Sequence, residues 1–249
     1  MKSFETPVVF LGPTLNPATA AKICDADFRG PAAMGDVTRA ASEGADTIIL
    51  IDGVFEDRPS VRHKEILWAL SNGVGVVGAA SMGALRAAEL HGHGMLGHGK
   101  IYEAYASGEI TDDDEVAVVH GPEETGFIPL TDAMVDIRDV IGQARILGVL
   151  TLAAAEAAIA CAKARHFKMR SLSKAVHSVL EQSHSSVQIK EVLAWFASRP
   201  AGAKARDALD LLENLDFLSA KARSLTRDAP RFIPTVYLRR LEVFGYRQQ

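Results

Sequence analysis

The residues best suited to chemistry stand in Ala79-Ala80-Ser81-Met82-Gly83, where a hydroxyl sits among small neighbours between an apolar run and a helical pattern. This is a Gly-x-Ser-x-Gly elbow with alanine for its first glycine. Such an elbow needs small residues because the turn is tight, and it projects the serine at a sheet edge beside backbone N–H groups that stabilise an oxyanion. Serine is also a favoured N-cap, and "MGALRAAEL" behind it needs one. Ser81 is therefore nucleophile, oxyanion donor or cap, and the first role requires a base.

His63 is the leading base, in the first turn of a helical segment and on the stripe of Ile66, Leu67 and Leu70. A buried histidine satisfied by a backbone carbonyl would show the same pattern. Asp52 or Glu56 is placed to orient it, as a carboxylate does in nucleophile-base-orienter sites, although Asp-Gly is also a common turn pair. His120, before Gly121-Pro122, competes as base if "VAVVH" is a strand returning to the same edge. Cys24 is an alternative nucleophile, with nothing near it in sequence to lower its pKa.

For substrate binding, Arg86 follows Ser81 by five positions among alanines and leucines, so its charge needs a partner. That partner is either an internal carboxylate such as Glu89 or Asp52, or an anionic ligand. Arg29 shares one side with Asp27 if "DADFR" is extended. Thr14, Gly78, Met82 and Gly83 complete the loops expected at the site. The histidines of "HGHGMLGHG" (His91, His93 and His98) and the acids Asp112, Asp114 and Glu115 have ligand chemistry, but the first read as a glycine-rich helix-ending turn and the second as an acidic turn before a strand. No metal is expected.

These residues need a frame. "PVVFLG", "TIILID" and "GVGVVGA" are short runs apolar on both faces, the mark of strands in a covered parallel sheet. "RPSVRHKEILWALSNG" supplies a helix between the last two, and another runs from Asp36 to Glu43. The expected class is α/β, an open, mostly parallel sheet flanked by helices. Ligands then bind beyond the carboxyl ends of the strands, where Gly12 to Thr14, Asp52-Gly53 and Gly78 to Gly83 fall. From about residue 130 the texture becomes alanine- and leucine-rich and helical, so residues 1–129 are read as a catalytic core and 130–249 as an all-helical accessory domain for docking. A strand signal returns only in "FIPTVYLRRL".

The totals narrow the function classes. The chain has 249 residues, 48% of them apolar, and a formal charge of -4. That balance gives no electrostatic case for nucleic acid or an anionic membrane. The start has too short an apolar run for a signal peptide, no window spans a bilayer, and two distant cysteines form no disulfide framework, so a cytoplasmic location is expected. No phosphate-loop motif occurs.

Taken in order, "VFLGPTL", "DADFRGPAAMGD", "IDGVFEDRPSVRHKEILWAL", "GAASMGALRAAEL", "GHGKIYEAYASGEITDDDEVAVVHGP" and "PLTDAMVDIR" resemble the TfuA-like core domain across roughly residues 8 to 140. The resemblance implies a partner of the YcaO family, whose ATP-dependent enzymes modify backbone amides of ribosomally made peptides. It also implies hydrolysis of the C-terminal thiocarboxylate of a ThiS-like sulfur carrier, which supplies sulfide for thioamidation of a precursor peptide or protein. It points to no cofactor, ATP being used by the partner. The alternatives are a noncatalytic adaptor for YcaO and a small-molecule ester or amide hydrolase.

Overall fold

A computed structural model describes residues 6–55, 58–198 and 201–228. In chain order the first elements are β1 (Val8–Phe10), α1 (Pro17–Ala20), β2 (Asp27–Arg29), α2 (Asp36–Ser42), β3 (Thr47–Leu50), α3 (His63–Ser71), β4 (Gly75–Ala79), α4 (Met82–Leu90), β5 (Leu96–His98) and α5 (Lys100–Ser107). Six helices follow: α6 (Met134–Ile146), α7 (Leu152–Lys163), α8 (Leu172–Leu180), α9 (Ser186–Ala197), α10 (Ala203–Glu213) and α11 (Leu215–Leu225).

The strands form one parallel sheet in the order β2-β1-β3-β4-β5. The expected class is observed: a parallel sheet flanked by helices, with helices through the C-terminal part. Alternation along β3 explains the two covered faces. Ile48 and Leu50 join Val37, Ile66, Leu70, Ala87 and Leu90 on one side. Ile49 and Ile51 join Ala20, Leu211, Leu212, Leu215 and Leu218 on the other. Each of the valine, leucine and isoleucine side chains among them contributes on the order of 1.5–3 kcal/mol by leaving water.

The second list shows where the structure departs from a linear division at 129/130. The chain separates into a unit of Met1–Ile110 with Asp207–Gln249, and a unit of Thr111–Arg206. The end of α10 and all of α11 return to the sheet, because their apolar stripe covers the face opposite α2 and α3. At Gly75 a Cβ would stand 2.8 Å from the Arg223 backbone nitrogen, so a glycine is what lets α11 approach β4 so closely.

Two strands lie in segments not read as strands, the first expected only to be extended. β2 lies in the polar stretch "DADFRG", and β5 in "HGMLGHG", which was expected to be a turn. Both are edge strands of three residues, and edge strands show little apolar pattern. "VAVVH", expected to be a strand, is not one. Val116 and Ala117 are buried in the second unit, where Lys204 Nζ donates to the Val116 carbonyl and Thr131 Oγ1 accepts from the Val119 N–H. Those side chains satisfy part of that backbone, and the Leu130 N–H donates to the Val119 carbonyl beside a single antiparallel bridge between His120 and Pro129. "FIPTVYLRRL" lies outside the described residues.

The second unit packs α6 to α9 around Met134, Ile137, Ile141, Val176 and Phe196. Lys163 sits against Asp112, Asp114 and Glu115 at 2.8, 2.7 and 3.0 Å, while the buried Arg170 pairs with Asp114 and Arg138 with Glu115. The chain's own cations thus fill the acidic cluster.

Candidate active site

The strand register sets the site. Phe10, Leu50 and Gly78 are aligned across β1, β3 and β4, and Ala79 is aligned with His98 on β5. The residues just beyond them, Gly12 to Thr14, Asp52, Ser81 and Gly99, therefore crown one edge of the sheet. This is the carboxyl edge, where open α/β sheets bind ligands.

Asp52 is buried, and its carboxylate is fully engaged with the first loop. Oδ2 accepts from the Gly12 and Thr14 N–H groups at 2.9 and 3.0 Å, and Oδ1 accepts from the Thr14 hydroxyl at 2.6 Å. Asp52 thus occupies the anion cradle at the end of β1 and does not meet His63. Glu56 lies outside the described residues.

His63 opens α3 on the half-exposed surface, where Nε2 lies 2.8 Å from Glu89 Oε2. Arg86 Nη1 donates to that same oxygen at 2.6 Å, and Arg86 Nε donates to the Val61 carbonyl. Glu89 comes eight residues after Ser81, about 12 Å along a helix axis. The structure thus gathers His63, Arg86 and Glu89 on α3 and α4 and makes no hydrogen bond from any of them to Ser81.

Ser81 is the N-cap of α4, yet it does not cap with its side chain. The residue is 6% exposed, and its hydroxyl has no hydrogen-bond partner among the described residues. The turn before it is strained: Ala80 has φ 63°, a left-handed conformation rare outside glycine, and the Ser81 N–H donates to the Ala79 carbonyl at 2.7 Å. Ala80 packs with the cluster on one face of the sheet and Met82 with the cluster on the other, so Ser81 stands on the crest between them. The Ser81 carbonyl accepts from Ala84 at 3.0 Å, and the Gly83 N–H donates to Ile51 at 3.1 Å; no group among the described residues accepts from the Met82 N–H. The hydroxyl of a largely buried residue and the adjacent N–H are both open at the positive end of a helix, an arrangement suited to an acyl anion.

Gly78 and Gly83 serve this turn by packing. A Cβ on Gly83 would overlap the Leu50 carbonyl, and one on Gly78 would overlap the Gly83 carbonyl. Glycine at both places lets α4 start directly against β3.

Other junctions at this edge are filled by carboxylates of the chain. Glu65 accepts from the Arg62 and Gly35 N–H groups at 3.1 and 2.6 Å, and burial pushes its carboxyl up to about 7. Asp207 Oδ2 accepts from Ile101 N–H at the start of α5, against Gly99 with φ 91°. One turn on, Asp210 Oδ2 lies 2.6 Å from His98 Nε2. That pair was hidden in the sequence by the 112 positions between its members.

The remaining candidates lie apart. Arg29 is paired with Asp27 at 2.6 Å and Glu43 at 2.8 Å, as the shared side of an extended segment implied. Burial pushes the Cys24 thiol up, with Asp216 and Asp25 adding to the effect, which works against a thiolate nucleophile. His120 belongs to the second unit, where Nδ1 bonds the Gly121 carbonyl and the ring packs edge-on to Phe127. Among the described residues, His91, His93 and His98 do not converge on a common ligand position.

In comparison with known families, residues 52–171 match the model described as TfuA-like protein. The match runs from Asp52 through Ser81 and His98 into the second unit. Thr14 and Asp210 fall outside it. No curated protein matches the chain.

Proposed function

From the match of residues 52–171 to the TfuA-like model, we propose that the chain carries a TfuA-like core domain and hydrolyses the C-terminal thiocarboxylate of a ThiS-like carrier protein. The family context is YcaO-associated thioamidation. In it, the sulfide released here would be placed by the YcaO partner into the backbone of a precursor peptide or protein. The observation that supports the reading is the open Ser81 hydroxyl beside the open Met82 N–H.

A thiocarboxylate is an acyl group with sulfide as its leaving group. Its carbonyl oxygen gains negative charge as the carbon becomes tetrahedral. The Met82 N–H and the start of α4 are positioned to stabilise that charge before it forms, and removal of one such donor typically costs 10²–10³-fold in rate. Ser81 adds either the attacking oxygen or a second donor. Net chemistry needs only water: R–COS⁻ + H2O → R–COO⁻ + HS⁻ + H⁺. ATP use is assigned to the partner, and no cofactor is invoked.

The test is sulfide release from a thiocarboxylated carrier by the full chain. Wild type should release sulfide in excess of protein, and Ser81→Ala should lower the rate at least 100-fold without lowering Tm by more than a few degrees. An unchanged rate in Ser81→Ala would remove Ser81 from the chemistry, and no release by wild type with or without YcaO would remove the hydrolase reading.

A second reading is an adaptor that recruits or activates YcaO. It draws support from Ile146, Leu147 and Leu152, which are 75%, 67% and 56% exposed around the turn from α6 to α7. Under it, Ser81→Ala leaves YcaO-dependent thioamidation intact while charged substitutions at Ile146 and Leu147 abolish it. Turnover of generic esters with indifference to the carrier would instead mark a small-molecule hydrolase.

A further inference from the structure

The Ser81 centre needs a group that can take a proton, and the histidine expected for this task is held by Glu89 on the far part of α4. A different imidazole stands on the crowned edge. His98 is the last residue of β5 and the register partner of Ala79, two residues before Ser81. Because the Ser81 N–H donates back to the Ala79 carbonyl, the chain turns sharply at this point and Ser81 stays above the end of β4. His98 shares a sheet face with Ala79, Leu96 and Ala80, and its side chain is 23% exposed. It therefore ends the strand beside the one that leads into Ser81, with part of its ring exposed.

α10 holds this imidazole with one of two acids spaced a single turn apart. Asp207 docks the helix by accepting from the Ile101 N–H at 2.8 Å. Asp210, on the same side of α10, accepts from His98 Nε2 at 2.6 Å. A carboxylate on one ring nitrogen fixes the tautomer in which the other, Nδ1, is the free acceptor. Nδ1 has no hydrogen-bond partner among the described residues. We propose that His98, oriented by Asp210, is the general base of the Ser81 centre.

The proposal rests on the hydrolase reading and completes it. Ser81 Oγ bonds to the thiocarboxylate carbon while its proton passes to His98 Nδ1. The C–S bond breaks, and the imidazolium returns the proton to sulfur, releasing HS⁻ and leaving an ester on Ser81. Water then adds to the ester carbon as Nδ1 takes its proton, the ester C–O bond breaks, and Oγ recovers the proton from the imidazolium. The carboxylic acid formed ionises, giving the stated balance. Asp210 acts through His98 and is a positioning residue, and its own exposure to water moderates its electrostatic part.

The deciding experiment uses two readouts on the full chain. The first is labelling of Ser81 by a fluorophosphonate, located by mass spectrometry, which reports an activated serine without any carrier. The second is sulfide release. Base catalysis is worth about 10²–10⁴-fold, so His98→Gln, which retains a donor for Asp210, should lose at least 100-fold in both. His98→Ala should regain part of its labelling rate with added imidazole, which a purely structural role would not allow. Asp210→Asn should lose about 10–100-fold, Asp210→Glu should recover most of that, and His63→Gln should label like wild type. Labelling of His98→Gln at the wild-type rate, or no labelling of wild-type Ser81, overturns the proposal. Labelling that depends on His98 in a protein that releases no sulfide keeps the base and overturns only the thiocarboxylate as substrate.

Discussion

Asp52 divides two accounts of the site, because a base orienter and a loop anchor respond differently to the same substitutions. Its carboxylate is 1% exposed and accepts three hydrogen bonds, two from N–H groups of the Gly12 to Thr14 loop and one from the Thr14 hydroxyl. Asp52→Ala leaves all three donors without an acceptor in a site that excludes water. At ~1–3 kcal/mol for each unsatisfied buried group, the loss is about 3–9 kcal/mol. Asp52→Asn is milder. Its single oxygen can face the two N–H groups, and its amide can donate to Thr14 Oγ1, which accepts as readily as it donates. One charge-assisted set becomes a neutral one, for a loss of about 1–3 kcal/mol.

Urea denaturation of both variants gives these losses directly as shifts in midpoint at constant slope. A cycle with Thr14→Val isolates the hydroxyl bond, whose coupling to Asp52 should be about 1 kcal/mol or more. Activity makes the contrast sharp: as an anchor, Asp52→Asn should keep sulfide release per folded molecule within a few-fold of wild type. A loss below about 1 kcal/mol in Asp52→Ala, or a 100-fold fall in activity with unchanged stability in Asp52→Asn, would refute the anchoring role.

Three further outcomes follow from burial and close approach. The native Glu65 carboxyl titrates near 7 against an ordinary 4.5, so between those values the native state binds more protons than the unfolded one. Its contribution is fully present below about pH 4.5 and is lost as pH rises through about 7, a fall on the order of 3 kcal/mol; Glu65→Gln should flatten that part of the stability curve, and an unaltered slope would contradict the assignment. Gly83→Ala drives a Cβ into the Leu50 carbonyl and should cost about 3 kcal/mol or more in urea denaturation, whereas a loss under about 1 would show that α4 can withdraw. A 1–129 fragment lacks Leu211, Leu212, Leu215 and Leu218, worth about 6–12 kcal/mol together, which is comparable with a whole domain's stability. It should show no cooperative thermal transition, and a sharp one would mean that the sheet folds without α11.

The central strands were readable because they are buried on both sides. β1, β3 and β4 each appear as an unbroken apolar run, and α3 appears as a stripe closed by Gly73, whose φ is 82°. β2 and β5 were not readable, since an edge strand of three residues needs neither a run nor an alternation. "VAVVH" misleads for the converse reason: an apolar run records burial, and here the backbone of a buried segment is satisfied by Lys204, Thr131 and the Leu130 N–H, with one bridge at His120 in place of a strand ladder. "AKARDALDLLENLDFLSAKARSLT" reads as one helical pattern but folds as α10 and α11 with Asn214 between them. Its apolar stripe was visible, while the surface that the stripe covers is a property of the sheet more than about 100 residues earlier.

The same limit governs the site. Sequence proximity selected Ser81 correctly as the residue on the strand-to-helix turn, because strain, small neighbours and the helix start are local. It pointed to His63 because that residue lies in the first turn of the helix after the Asp52 strand, on the stripe of Ile66, Leu67 and Leu70. In a parallel sheet, however, the neighbours of a crest residue belong to adjacent strands, reached only after a crossover of a dozen or more residues. The carboxylates at this edge show the pattern: Asp52 reaches back to Gly12 and Thr14, Glu65 to Gly35, Asp207 to Ile101 and Asp210 to His98. Each closes a helix start or holds a side chain contributed by a different part of the chain. What they leave open is the start of α4, and its hydroxyl, its N–H and the imidazole on the neighbouring strand are the groups an acyl transfer requires.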